Sequence, residues 1–166
     1  MAAGRDAVRM SDEEIASFLA SQLKVQVATL GPEGWPHLTT LFYVYDEGQI
    51  AWWTYARSQK VLNLRRDPRL SVLVESGDDY DQLRGVSMQG TARLVEDYDS
   101  IATIGAAVVS AMAGGVDLGE LGDQIVAAQA TKRVGVVFEP TRVMSWDHTK
   151  MSAPPGPKGG THEGQG

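Results

Sequence analysis

The run VQVATLGPEGWPHLTTLFYVYDEGQIAWWTY, Val25 to Tyr55, restricts the folds open to this chain more than any other stretch. Val25, Val27 and Thr29 alternate with Gln26 and Ala28, the period of a strand with one face in a core. Leu38–Tyr45 and Gln49–Tyr55 are rich in aromatic and β-branched residues, which suit a pleated, half-buried surface. Between the runs, GPEG and DEG supply the Gly and Pro dihedrals of tight turns. Connections this short predict three antiparallel strands joined as a meander.

The rest of the pattern adds strands and a few helices. Ser11 with Glu14 has capping-box spacing, and Ile15, Phe18, Leu19 and Leu23 fall on one helical face, so a helix is expected over about 12–22. RLSVLVES and VSMQGTARLVE read as strands around the loop GDDYDQLRG. From Asp97 to about Ala130 the period turns helical, with a Gly-Gly break. RVGVVFEPTRVMSWDH then predicts two strands meeting near Glu139-Pro140. The fold class expected is mainly β, a six- to seven-stranded antiparallel barrel with short helices, since antiparallel runs with few crossovers argue against a parallel sheet.

Composition removes several chemistries. The chain has no cysteine, which excludes disulfides, thiol catalysis and thiolate metal sites and suits a reducing cytoplasm, the location expected. His37, His148 and His162 make no ligand-spaced pair, so no metal is expected. A net charge of −6 argues against a nucleic-acid partner, and no apolar run is long enough for a membrane span. Residues 1–11 read as a flexible lead, 12–150 as one domain and the Gly/Pro-rich 151–166 as a disordered tail.

Against that acidic background ARSQKVLNLRRDPR holds Arg57, Lys60, Arg65, Arg66 and Arg69, five of the fifteen basic residues. Ser58 is placed to N-cap a short helix that ends before Pro68, and a helix start exposes unbonded N–H groups to an anion. Thr54, Ser58 and Lys60 together could hold a phosphate there. Arg65, Arg66 and Arg69 lie at the far end, where cations suit the helix dipole and read as solvated or salt-bridged charges.

GPEGWPHLTTLFYVYDEGQIAWWTYARSQKVLNLRRDPRLSVLVE resembles the core of the pyridoxamine 5′-phosphate oxidase-like split barrel. More narrowly, SQK…NLRRDPR in this strand order resembles the class B flavin/deazaflavin oxidoreductases, the actinobacterial group that commonly uses coenzyme F420. The likeness runs on through YDQLRGVSMQGTARLVE to KRVGVVFEPTRVMSWDH, about residues 15–150. It implies an FMN-binding type of split barrel and a homodimer with two cofactor sites at the interface. The cofactor's phosphate would lie at Thr54, Arg57, Ser58, Gln59 and Lys60. The ring would lie along the backbone of Pro36, His37, Leu38 and Thr39, with Trp146 and His148 arriving from the other subunit. Some members carry an arginine where this chain has Ser58, and the wider family also binds FMN or haem.

Other candidates have plainer readings beside them. Trp52 and Trp53 face opposite sides of a strand, one toward a core and one toward a site or partner; Tyr43 and Tyr45 share a face and read as packing. His37 reads as a surface residue. Asp147 and His148 form a proton-relay pair or point apart, and His148 is the one candidate for a catalytic side chain. The acidic loop ESGDDYDQ reads as solvated, or as a lid or wall against anions. The function expected is F420-dependent hydride transfer to a small unsaturated organic substrate. An FMN-dependent oxidase or reductase, or a non-catalytic F420/flavin carrier, is the alternative.

Overall fold

The computed structural model describes residues 6–152; the expected tail from residue 153 and the first five residues of the expected lead lie outside the described residues. The chain order is α1 (Asp12–Ser21), β1 (Lys24–Leu30), β2 (Pro36–Phe42), β3 (Val44–Asp46), β4 (Gln49–Tyr55), α2 (Gln59–Arg66) and β5 (Arg69–Ser76). A 3₁₀ turn (Tyr80–Gln82), β6 (Arg84–Val95), α3 (Tyr98–Met112), α4 (Gly119–Ala130), β7 (Arg133–Asp147) and α5 (Thr149–Ser152) complete it. The capping box forms: Ser11 Oγ accepts from Glu14 N at 3.2 Å while Ser11 N donates to Glu14 Oε2 at 2.6 Å. Glu47 and Gly48, both at positive φ (47° and 82°), give the β3–β4 turn the twist that a two-residue hairpin needs.

The seven strands make one sheet in the order β2-β1-β5-β6-β7-β4-β3. All of its pairings are antiparallel. β2 and β3 stand at opposite ends of that order, yet only Tyr43 separates them in the chain. One residue spans about 3.8 Å, so the two ends of the sheet must meet and the sheet rolls into a barrel. This is the antiparallel barrel that the strand pattern predicts, in the split form that the resemblance implies.

The simple meander is corrected. β2 and β4 are not neighbours; β2–Tyr43–β3 is one long bent strand whose first part pairs with β1 and whose last part pairs with β4. Tyr43 fixes the bend. It is 1% exposed, its N–H donates to Leu23 O, and its hydroxyl donates to Leu19 O at 2.5 Å.

The barrel core is built by alternate residues of each strand, including Val25, Val27, Trp52, Val72, Val74, Val86, Val136 and Phe138. α1 closes one end with Phe18 and Leu19, beside the start of β1, while α2 adds Leu64 and lies against β1's other end. Trp52 and Trp53 do face opposite sides. Trp52 lies in the barrel, and Trp53 packs outside it against Ile101 and Val108 of α3 and Val126 of α4.

One further expectation changes. The last segment is one strand, β7, and not two; the register jumps between Gln89 and Gly90 so that Arg142 and Pro140 become their partners. Pro140 has no N–H to give the ladder, so the strand bulges there without breaking. At the other end, packing begins ahead of Asp12: Val8 and Met10 are buried, and Asp147 N donates to Val8 O at 2.7 Å. Among the described residues no helix is long and apolar enough to cross a membrane.

Candidate functional site

The bent strand leaves a gap that the topology locates. β3 covers only Gln49–Ala51 of β4, and β2 has a partner only on its β1 side. The free edges of β2 and of Trp52–Tyr55 therefore form the two lips of a split. Continuing the β3–β4 register across it sets Phe42 against Trp53 and Thr40 against Tyr55. Thr40, Phe42, Trp53 and Arg133 do line one cavity of about 370 Å³.

On the first lip, Pro36 and Leu38 point outward and are exposed, while His37 and Thr39 share the inward face with their β1 partners Thr29 and Val27. On the second lip Thr54 is buried and faces inward with Trp52. Where β4 ends, Ser58 N bonds Tyr55 O and Ala56 N bonds Lys132 O, which turns the chain into α2. Ser58 caps the helix by backbone geometry alone; its side chain accepts no capping hydrogen bond. Gln59 reaches Asn63 Oδ1 at 2.9 Å, and the Asn63 amide donates to Thr29 Oγ1 at 3.0 Å, which ties α2 into the barrel end.

Four buried side-chain polar atoms among the described residues lack a hydrogen-bond partner: His37 Nδ1, Thr39 Oγ1, Trp52 Nε1 and Ser58 Oγ. Each sits on a lip of the split or at the α2 start. Buried polar groups are nearly always satisfied, so these four are exceptions to that rule, and their backbones gather along the split and at the start of α2.

Charge gives the same direction. Arg65 pairs with Glu96 at 2.7 Å, Arg69 pairs with Asp67 at 2.7 Å, and Arg66 donates to the Leu30 carbonyl. Arg57, Lys60 and Arg133 pair with no carboxylate among the described residues. Burial, and then the charge of Arg133, hold the Lys60 ammonium below the usual lysine range. Arg133 itself lies over the rings of Trp53 and Tyr55, at 4.6 and 4.3 Å from their centroids.

Sequence reasoning missed Arg133. It opens β7 far from the basic stretch, and only the pairing Tyr55↔Arg133 brings it to the corner. The signal that could have found it is the register: a basic residue starting a strand that follows the long α4, opposite the end of β4.

Trp146 and His148 are not brought to this split within one subunit. They lie at the other end of β7, about thirteen residues of strand from Arg133, roughly 40 Å of extended chain. The His148 ring nitrogen Nδ1 bonds Tyr80 O at 2.7 Å, and Asp147 instead meets Arg84 at 3.1 Å and the Thr149 hydroxyl at 2.6 Å. The adjacent pair therefore points apart and makes no relay. A larger, shallower depression of about 630 Å³ lies on the outer face of β1, β5 and β6. Its one charged wall residue is Arg69, already neutralised by Asp67, so it is a poor anion site.

The comparisons with known proteins agree with this architecture. The family model of pyridoxamine 5′-phosphate oxidase matches residues 11–147. A conserved hypothetical protein from Mycobacterium tuberculosis is 42% identical, with 95% of this chain and 97% of that one covered and a TM-score of 0.83. An F420 reductase is 22% identical over 76% of this chain and 93% of its own, with a TM-score of 0.61. A FAD-binding protein from Mesorhizobium loti is 18% identical over 82% and 94%, with a TM-score of 0.63. The last two show a shared fold alone. No curated protein matches the chain. From Ser11 to Asp147, the chain belongs to the pyridoxamine 5′-phosphate oxidase family, a group of flavin-type split barrels that includes oxidoreductases.

Proposed function

We propose that this protein is an oxidoreductase that binds coenzyme F420 along the split, as a homodimer, and acts on a small unsaturated organic substrate. The observation that carries the reading is the corner itself. Arg57 and Lys60 stand at the start of α2 without a carboxylate partner among the described residues, and Ser58 Oγ is buried there without a bond. A phosphate is the group that corner fits. Ser58 donates its hydroxyl, Lys60 and Arg57 bring charge, and the N–H groups of Gln59 and Lys60 at the helix start remain to be used.

Bound in its reduced form, F420 would supply the hydride. The protein's part is to hold and orient. The free edge of β2 offers backbone groups of Pro36, His37, Leu38 and Thr39 to the ring, and the exposed Leu38 (67%) offers it an apolar contact. Thr54 and Gln59 brace the corner. The proton that accompanies the hydride comes from solvent or from His148 of the partner subunit.

The dimer is part of this reading because one subunit leaves its site unfinished. Besides β2, β7 has a second free edge over Glu139–Met144, six exposed residues in a row. Apolar Trp35, Leu38, Val143 and Met144 lie exposed on these edges and the adjoining turn.

The fold shared with an F420 reductase supports F420, and the fold shared with a FAD-binding protein supports a flavin, with FMN as the second reading. Titrating purified protein with F420 and with FMN separates them, with Lys60→Ala as control. F420 binding no tighter than in that variant would sink the first reading, and FMN released from the purified protein on heating would establish the second. Tight F420 binding without hydride transfer to any enone or quinone tested would make the protein a carrier.

A further inference from the structure

The cavity between the β2 lip, Trp53 and the helix pair α3–α4 has an uncommon combination of walls. Phe42, Trp53, Ile125, Met112 and two valines of α3 make it apolar, while Gln129 and Arg133 stand at one side and no Asp or Glu lines it. Its volume, about 370 Å³, is within the range of small-molecule sites. The Arg133 guanidinium is held in place from two sides: it lies over the Trp53 and Tyr55 rings, and Gln129 Oε1 accepts from it at 3.4 Å. Nothing among the described residues neutralises it. A second cation, Lys24, lies 5.8 Å from the centroid of the Phe42 ring.

A fixed, unneutralised arginine beside an apolar hollow selects for a molecule with one acidic head and an apolar body. A guanidinium matches a carboxylate in geometry, and the charge-assisted bond gains strength where apolar walls exclude water. A phosphate diester or nucleotide would leave the apolar walls unfilled. A neutral hydrocarbon would leave Arg133 without a counter-charge.

We propose that this cavity binds a small apolar carboxylate, the substrate class of the reaction proposed above; its role as substrate rests on that reading, but the binding does not. The carboxylate pairs with Arg133 and accepts from the Gln129 amide, and the chain or ring of the ligand lies between Trp53 and α3. The lip position puts that body next to the split, beside β2.

The test uses cofactor-free full-length protein with decanoate, and 1-decanol as its uncharged counterpart, followed by tryptophan fluorescence and calorimetry. Decanoate is expected to bind about tenfold or more tightly than 1-decanol, as one charge-assisted contact is worth. Arg133→Gln should abolish that preference. Met112→Trp, which fills the mouth of the cavity from an exposed position, should weaken both ligands while its circular dichroism and its F420 titration stay those of the parent. Equal binding of acid and alcohol by the parent, no binding of either, an undiminished preference in Arg133→Gln or unaltered binding in Met112→Trp would each overturn the proposal. Because the assay contains no F420, its failure leaves the cofactor reading standing, and failure of the cofactor titration leaves the decanoate result standing.

Discussion

Lys60 and Arg133 lie close enough across the β4–α2 corner for the arginine's charge to disfavour protonation of the lysine. Burial of Lys60 acts in the same direction and is the larger cause. The folded pKa is therefore below the unfolded value of 10.5, so the folded state carries a penalty that is full below the depressed pKa. That penalty disappears as pH rises past the unfolded value. Lys60→Met should thus be slightly more stable than the parent at pH 7, by under about 1 kcal/mol given how much solvent still screens the site. The gain should shrink as pH approaches the unfolded value. Urea melts at several pH values check this, and a variant less stable at neutral pH would show that the corner is not strained by charge.

Gly105 sits against Trp53. A Cβ built there would come within 2.3 Å of the indole, so Gly105→Ala must push the ring that floors the cavity and supports Arg133. Helix propensity alone would favour alanine by about 1 kcal/mol, but overpacking costs about 1–3 kcal/mol and should win. Denaturant unfolding should show a net loss. A stabilised variant would mean that Trp53 has room to move.

The barrel end opposite α2 is latched by charge. Lys150 Nζ donates to Glu14 Oε2 at 2.6 Å and to Arg9 O at 2.7 Å, while Arg84 meets Asp147 at 3.1 Å. The Lys150 bond, and then the Ser11 N–H, hold the Glu14 carboxyl below its ordinary 4.5. For Asp147 burial works upward but is outweighed by hydrogen bonds from Thr149 and the charges of Arg84 and Lys150, so it too is lowered. Groups lowered by folding stabilise above their unfolded pKa and lose that contribution as pH falls through the folded one. The melting temperature should therefore fall below about pH 4.5 less steeply in Glu14→Gln than in the parent. Identical acid slopes would remove the latch from the account.

Size is the check on the shared site. Light scattering at micromolar concentration should give a mass near twice 17.9 kDa. A monomer would leave Trp146 and His148 far from any split, as they are within one subunit.

The strands, the α1 capping box and the α2 corner are legible in the sequence, because alternation, capping and Pro68 are local signals. Position along α2 also separates the distal arginines from Lys60, and Glu96 and Asp67 neutralise two of them. The remaining features depend on long-range pairing. The meander reading failed at Tyr43, where burial and a bond to Leu19 bend a strand that looks continuous in sequence. Arg133 stayed hidden because its neighbours Tyr55 and Trp53 lie nearly eighty residues away, joined to it only through the β4–β7 register. Trp146 and His148 lie at the far end of β7 from Arg133, a separation set by the length of that strand and by no local signal.

The central claim, that one corner of this barrel and not the basic stretch as a whole holds a phosphate-bearing deazaflavin, comes down to one comparison. Calorimetric titration of F420 into the parent, Lys60→Ala and Arg65→Ala would decide it. The account predicts a loss of about tenfold or more in affinity for Lys60→Ala, from one lost charge-assisted contact, and less than about twofold for Arg65→Ala, whose partner is Glu96. Equal losses in the two variants, or no loss in Lys60→Ala, would contradict it.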